Sequence, residues 1–328
     1  MKMFRTLSIM AIGTMAAGTA YGFGTIHGLG QDAEHERITR RAFVCAKGAA
    51  AGDCFQPKTL NMLAGAPGDF GAVGAPDRGA LIFKSDAHCD GGDYFNVPGY
   101  PQSKVDARSK LEACRTWMLA KLDEAVTDAG ELLDAKGQLR DSEMPTIVQC
   151  RFGGRVKRRA KCNVLEDFGI LLHASEDFYS HSNWTDAHDS TRPLGPENPP
   201  GLNKRGPAPW LDLRTEKPFP DGLISGCFET KSAISEVANC NYGPNNASLR
   251  VKHLALNKDK GRIDPKLGAG TTERGRVNDN FAHAVEAAIA DSKDKWETLK
   301  EQLILTYGPS RGSKMICAIT HDHPMKSC

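Results

Sequence analysis

The chain has 328 residues, 40% hydrophobic and 25% charged, enough to bury a sizeable core in one large domain or two small ones. Lys and Arg number 42 against 40 Asp and Glu, a formal charge of +2, so no global field draws the chain to nucleic acid or to a membrane. Beyond the first two dozen residues no stretch is apolar enough to cross a bilayer.

Lys2 and Arg5 precede an apolar run from about Leu7 to Ala17, followed by small residues, the pattern of a secretory signal peptide. Cleavage fits after Ala20 (Gly18-x-Ala20), leaving Tyr21 first, or after Gly22 (Ala20-x-Gly22), leaving Phe23 first. The second cut removes two basic residues and no acidic one, so residues 23–328 carry formal charge zero. The expectation is an exported chain, secreted or periplasmic. All ten cysteines lie in this part, and an even count in an exported protein argues for disulfides. Spacing does not fix the connectivity; joining nearest neighbours gives 45–54, 89–114, 150–162, 227–240 and 317–328.

Residues 23–30 read as a glycine-rich lead, and a helix is expected from Gln31-Asp32 with Asp32 as N-cap. His35, Ile38 and Ala42 share its inner face. Residues 57–103 are rich in Gly, Pro and Asp, and 68–77 cannot form a long helix. Long loops inside a compact domain are usually functional or disordered; Asp77, His88 and further carboxylates make a functional loop credible. Lys104 to Ala135 carries an apolar stripe at helical period and is assigned to packing. The basic run from Arg151 to Lys161 reads as a solvated loop, with an anion-binding role as the minority reading.

A helix from about Asn163 to His181 organises the chain. His173, Asp177 and His181 follow at steps of four, and each step drifts only about 40° round a helix, so the three stack on one face. Two imidazoles and a carboxylate so presented form a metal-ligand set. Phe168, Leu171, Leu172 and Phe178 anchor the helix in a core, and Tyr179 and Trp184 are read as packing residues. Residues 186–246 are an aperiodic, Pro- and Gly-rich surface excursion pinned by Cys227 and Cys240. Thr272 to Leu305 is a second long helix carrying His283, with Asp279 four residues before it and Glu286 three after, either able to share a metal with it. The tail from Gly308, with His321 and His323, is expected to be exposed. Asn183-Trp-Thr185 and Asn246-Ala-Ser248 are glycosylation sequons that matter only in a eukaryotic secretory route.

His173-x3-Asp177-Phe178-Tyr179-Ser180-His181-Ser182-Asn183-Trp184, together with Leu256-Asn257-Lys258-Asp259, resembles the signature of Het-C-like proteins, the family of the fungal heterokaryon-incompatibility protein C. The likeness covers mainly residues 160–290. More remotely, the order of histidines and acids is similar to the helical superfamily of zinc-dependent phospholipases C and S1/P1-type nucleases. That resemblance implies a mainly α, single-domain helical bundle over residues 23–328 with long disulfide-bonded loops. It implies two or three Zn2+ ions held by Phe23 as mature N-terminus, His35, Asp77, His88, His173, Asp177, His181 and His283, with Asp177 bridging two ions. Ala287 stands where the superfamily has its final acid, so Asp279 or Glu286 would have to substitute.

The implied activity is phosphoester hydrolysis by a metal-activated water, as a phospholipase C-like phosphodiesterase, with Asp77 as a further ligand or general base. Lys258 and the basic run are read as solvated surface, with phosphate contact as the alternative. Zero mature charge favours phospholipid over nucleic acid and admits a peripheral membrane contact. The rival class is a non-catalytic, metal-stabilised toxin, incompatibility or interaction protein.

Overall fold

A computed structural model describes residues 23–28, 31–50, 52–67, 69–144, 150–153, 158–228, 240, 249–263, 268 and 270–328. The expected signal peptide and the sequon at Asn246 lie outside the described residues. The architecture is mainly α: α1 (Glu34–Phe43), α2 (Pro57–Ala64), α3 (Ser85–His88), α4 (Lys104–Gly130), α5 (Ala160–His181), α6 (His253–Leu256), α7 (Asn280–Thr320) and α8 (Pro324–Ser327). A two-residue hairpin, β1 (His27–Gly28) against β2 (Gln31–Asp32), precedes α1. Asp32 is therefore not the N-cap expected; it closes the hairpin, and its N–H donates to the Glu34 carboxylate.

α5 runs through the middle, packed chiefly against α4 and α7 and touched by α1, α2, α3 and α6. All its residues but Glu166 are buried. One side is aromatic: Phe168 lies 5.5–6.5 Å, centroid to centroid, from Phe43, Phe55 and Trp296. Truncating one such ring to alanine typically costs about 3–5 kcal/mol, a term large enough to offset much of the desolvation of the polar stripe opposite. Ser103 caps α4, accepting from the Asp106 N–H at 3.0 Å. α4 stops at Gly130, five residues earlier than its apolar stripe suggests, and the chain turns through Leu132 and Leu133 into the core.

Other boundaries differ from expectation for local reasons. Pro57 at the first turn starts α2, a helix hidden in a Gly/Pro-rich stretch. α7 starts at Asn280 rather than near Thr272 and continues past a break at Gly308 (φ 79°) and Pro309 to Thr320. The segment expected to be an exposed tail is thus helical and buries Met315, Ala318 and Ile319. The excursion after α5 is not merely surface either, since Ser182–Asp186, Trp210, Leu211 and Ser225–Cys227 are buried. The five disulfides join 45–54, 89–114, 150–162, 227–240 and 317–328, the nearest-neighbour set.

The basic run stays in solvent at Arg151, as expected, but its described end from Arg158 to Lys161 does not. Arg158 pairs with Glu166, and Lys161, 2% exposed at the start of α5, points its ammonium at Thr59 Oγ1 (3.2 Å) and the His321 carbonyl. Burial pulls the Lys161 pKa down to about 8. Between that value and the ordinary 10.5, the unfolded chain holds a proton that the folded chain has released, so stability rises with pH across this window. The gain is at most about 3 kcal/mol. Denaturant titration at pH 8 and 10 should show the rise in wild type and a flatter response in Lys161→Met; equal slopes would refute the assignment.

Candidate metal centre

The face of α5 opposite the aromatic cluster carries His173, Asp177 and His181, all buried. Two oxygens of Asp177 serve two donor sets. Oδ1 lies 3.0 Å from the Phe23 backbone N and 3.1 Å from His35 Nε2. Oδ2 lies 2.9 Å from His88 Nδ1 and 3.0 Å from His173 Nε2. His181 Nε2 stands 3.9 Å from Oδ1.

Each of these imidazoles is tied down by its other nitrogen. His35 Nδ1 meets Glu176 Oε2 at 2.7 Å, His173 Nδ1 the Val73 carbonyl at 2.9 Å, and His181 Nδ1 the His88 carbonyl at 2.9 Å. His88 is turned round: Nε2 faces the Leu81 carbonyl at 3.3 Å, leaving Nδ1 for the cluster. An acceptor oxygen fixes an N–H on the nitrogen that meets it. In the neutral ring the second nitrogen then offers its lone pair, the tautomer a metal ligand needs. Glu176 is held by Thr39 Oγ1 and Ser292 Oγ, so its grip on His35 is itself oriented.

Asp77 completes the first group. Its Oδ1 lies 3.6 Å from His173 Nε2 and 4.0 Å from His88 Nδ1, and neither of its oxygens has a hydrogen-bond partner although both are buried. His35 Nε2 and His181 Nε2 are likewise buried without a hydrogen bond. Donors round a tetrahedral Zn2+ with bonds of about 2.0–2.1 Å stand about 3.3 Å apart, the scale of these separations. Two overlapping sets can each hold a cation: Asp77 with His88 and His173, and His35 with His173 and Asp177.

Loop placement follows from small residues and a disulfide. A Cβ on Gly169, one turn before His173, would lie 2.5 Å from the Ala72 backbone, so glycine lets residues 72–73 reach α5 and present the Val73 carbonyl. Cys89, between His88 and Asp90, is bonded to Cys114 of α4 and fixes both neighbours against α5.

A third group includes residues to which sequence reasoning gave no ligand role. Asp90, His181 and His253 can share a cation. Asp259 adjoins them, with Oδ1 3.3 Å from His181 Nε2 and Oδ2 3.6 Å from His253 Nε2. Asp259 Oδ2, Asp90 Oδ1 and Asn257 Oδ1 are buried without a hydrogen bond. Lys258 sets this loop: its buried ammonium donates to the Ser182 and Leu256 carbonyls and pairs with Asp186 at 2.9 Å, so it is a strut rather than a solvated cation. A cavity of about 770 Å³ reaches Asn257, whose Nδ2 is 3.5 Å from His253 Nδ1. The signals available in sequence were the Asn257-Lys258-Asp259 segment and the carboxylates flanking His88.

His283, Asp279 and Glu286 do not join these groups. Because α7 begins at Asn280, Asp279 sits ahead of it, exposed, with φ 60°. Glu286 is on the solvent face while Ala284, Val285, Ala287 and Ala288 fill the inner one. His283 is half-buried, its pKa lowered by burial and by Arg205. Cys317, His321 and Cys328 form another close group, but both thiols are spent in a disulfide.

The electrostatics are those of a shared carboxylate. Burial works to raise Asp177, but His173, His181 and His35 overcome it and hold the carboxyl well below its ordinary range. Burial works to lower His35, yet Asp177 and Glu176 raise it to about 10. His173, stacked on His35 at 4.1 Å, is pushed down by burial, with the charge of His35 adding to the effect. His88 and His181 are raised against burial, chiefly by Asp177 and by Asp90 with Asp177 respectively.

Comparison with family models, with curated proteins and with solved structures found no match to this chain.

Metal analysis of purified variants tests the regrouping: His253→Ala should lose about one equivalent of bound metal and His283→Ala none, and the reverse result would restore the sequence-based set. Glu176→Gln should weaken metal retention in chelator competition by about 10- to 100-fold, because His35 loses its orienting carboxylate.

Proposed function

We propose that this chain is an exported, zinc-dependent phosphoester hydrolase of the phospholipase C type, related to the Het-C-like proteins. The observation that carries the reading is the convergence on Asp177 of four imidazoles, each anchored through one nitrogen and presenting the other. Phe23, His35 and Asp177 would hold one ion, Asp77, His88 and His173 with Asp177 a second, and Asp90, His181, His253 and Asp259 a third. Cleavage after Gly22 would turn the Phe23 nitrogen, already 3.0 Å from Asp177 Oδ1, into an amine able to ligate.

Bound Zn2+ supplies Lewis acidity toward a phosphoryl oxygen and lowers the pKa of water toward neutrality. The chain supplies position and proton transfer. Asp77, with Oδ1 toward His88 and His173 and no hydrogen bond on either oxygen, keeps Oδ2 to orient the attacking water and take its proton. Glu176 and the Val73, His88 and Leu81 carbonyls keep the imidazoles from turning. The zero charge of residues 23–328 favours phospholipid over nucleic acid as substrate.

One observation favours a second reading, a metal-stabilised toxin, incompatibility or interaction protein without turnover. The candidate ligands are almost wholly enclosed, and even the His88 and Asp77 side chains are only 6% and 3% exposed. Hydrolysis of a chromogenic phosphodiester and of phosphatidylcholine, lost on chelation and restored by zinc, supports the enzyme. Full zinc occupancy with no turnover on any phosphoester supports the second reading. In the enzyme, Asp77→Asn should lower kcat by about 10²-fold or more, in the range of general-base loss. His173→Ala should release at least one zinc ion.

A further inference from the structure

Between the candidate ligands Asp77 and His88 runs Gly79-Ala80-Leu81-Ile82-Phe83, five residues without a polar side chain. They form a 3-10 turn in which no residue is buried, and Phe83 is 45% exposed. Leu81 and Ile82 are half-buried beside it. Apolar side chains gain by leaving water, so a turn with no polar side chain that leaves Phe83 exposed and Leu81 and Ile82 partly so has apolar surface to bury against a partner. Other large exposed apolar side chains, such as Val105 and Leu194, are flanked in sequence by polar or small residues rather than set in a run of apolar ones.

The turn is bracketed by cations. Arg78 precedes it, exposed, its guanidinium 4.5 Å above the Phe70 ring and with no ion pair among the described residues. Lys84 follows it, over the Trp117 ring at 4.7 Å and paired with Asp86 at 3.1 Å. Residues 150–153 pass against Arg78, since a Cβ on Gly153 would stand 3.8 Å from Arg78 Cβ, and Arg151 two residues back is exposed and also unpaired among the described residues. Asp69, exposed ahead of Phe70, faces its own turn, accepting from the Gly71 N–H. An apolar tip with cations at its base matches the boundary between acyl chains and anionic headgroups. The turn is also joined to the metal centre, because the Leu81 carbonyl holds His88 Nε2 at 3.3 Å.

We propose that the Arg78–Lys84 turn is a membrane-seating surface whose occupant is an anionic phospholipid bilayer. Leu81, Ile82 and Phe83 enter the acyl boundary, and Arg78 and Arg151 meet lipid phosphates. This rests on the phosphoester-hydrolase reading for its purpose and makes bilayer phospholipid the substrate; the binding itself stands or falls separately.

The test is co-sedimentation of the purified protein with vesicles of phosphatidylcholine alone and of phosphatidylcholine with 30% phosphatidylserine. Wild type should bind the anionic vesicles, less so as salt is raised. Phe83→Asp should weaken that binding by about tenfold or more. Arg78→Gln should weaken it by about fivefold on anionic vesicles and leave the neutral ones unaffected. Both variants change exposed side chains, so zinc content and turnover of a soluble chromogenic phosphodiester should match wild type. No binding by wild type, or equal binding by Phe83→Asp, overturns the proposal. Absence of soluble turnover in every protein tested would defeat the hydrolase reading, while the vesicle result would still decide this one.

Discussion

The buried carboxylate of Asp177 is the constraint round which the rest is arranged. An isolated carboxylate at that depth would cost several kcal/mol of lost hydration. Here its two oxygens are met by Phe23 N and His35 on one side and by His88 and His173 on the other. Those partners come from the lead, from α1, from the end of α3 and from α5 itself. No neighbouring pair of elements could assemble the site, so the long connections are required by the chemistry rather than tolerated. The aromatic face of α5 supplies the apolar burial that keeps such a polar helix inside.

The connections are correspondingly pinned. Cys89–Cys114 holds the segment bearing His88 and Asp90, and Cys227–Cys240 lies beside α6, where the His253 N–H donates to the Cys227 carbonyl. In the chain-entropy account, closing a loop of ten to twenty-five residues is worth about 3 kcal/mol, enough to matter for loops with little secondary structure. Five disulfides suit an oxidising, extracellular-type compartment, and among the described residues no helix is long and apolar enough to cross a membrane.

What could be read from sequence was what has a period. Helical spacing places His173, Asp177 and His181 on one face and turns His35 inward, and nearest-neighbour pairing reproduces all five disulfides. Asp90 and Asp259 were legible only as members of a carboxylate-rich loop and a motif, and His253 not at all, because α6 is a single turn and the flanking loops have no repeat that assigns a direction. His283 illustrates the opposite failure. A good helical spacing to Asp279 and Glu286 says that side chains can share a face, but not which face meets the core, and the alanines and Val285 decide that. Charge misleads in the same way: Lys161 and Lys258 look like surface cations and are buried struts, because Thr59 and the His321 carbonyl for one, and Asp186 and the Ser182 carbonyl for the other, offer partners far away in sequence.

The interior charges also limit how the cluster can be neutralised. Asp77, Asp90, Asp177, Asp259 and Glu176 put five carboxyl groups among five imidazoles, all nearly or wholly out of water. Protons alone are a poor answer. His35 and His173 stack at 4.1 Å, so a second positive charge on that pair is opposed by the first and by burial together, and His173 accordingly titrates low. A divalent cation avoids the conflict: it brings two charges to one point, binds the lone pairs of neutral imidazoles and leaves their anchoring N–H groups in place. The same polar geometry, crowded and partly unpartnered with protons, would give the unpaired oxygens of Asp77 a partner if it held a metal ion, and those oxygens point to a cation more directly than the number of histidines does.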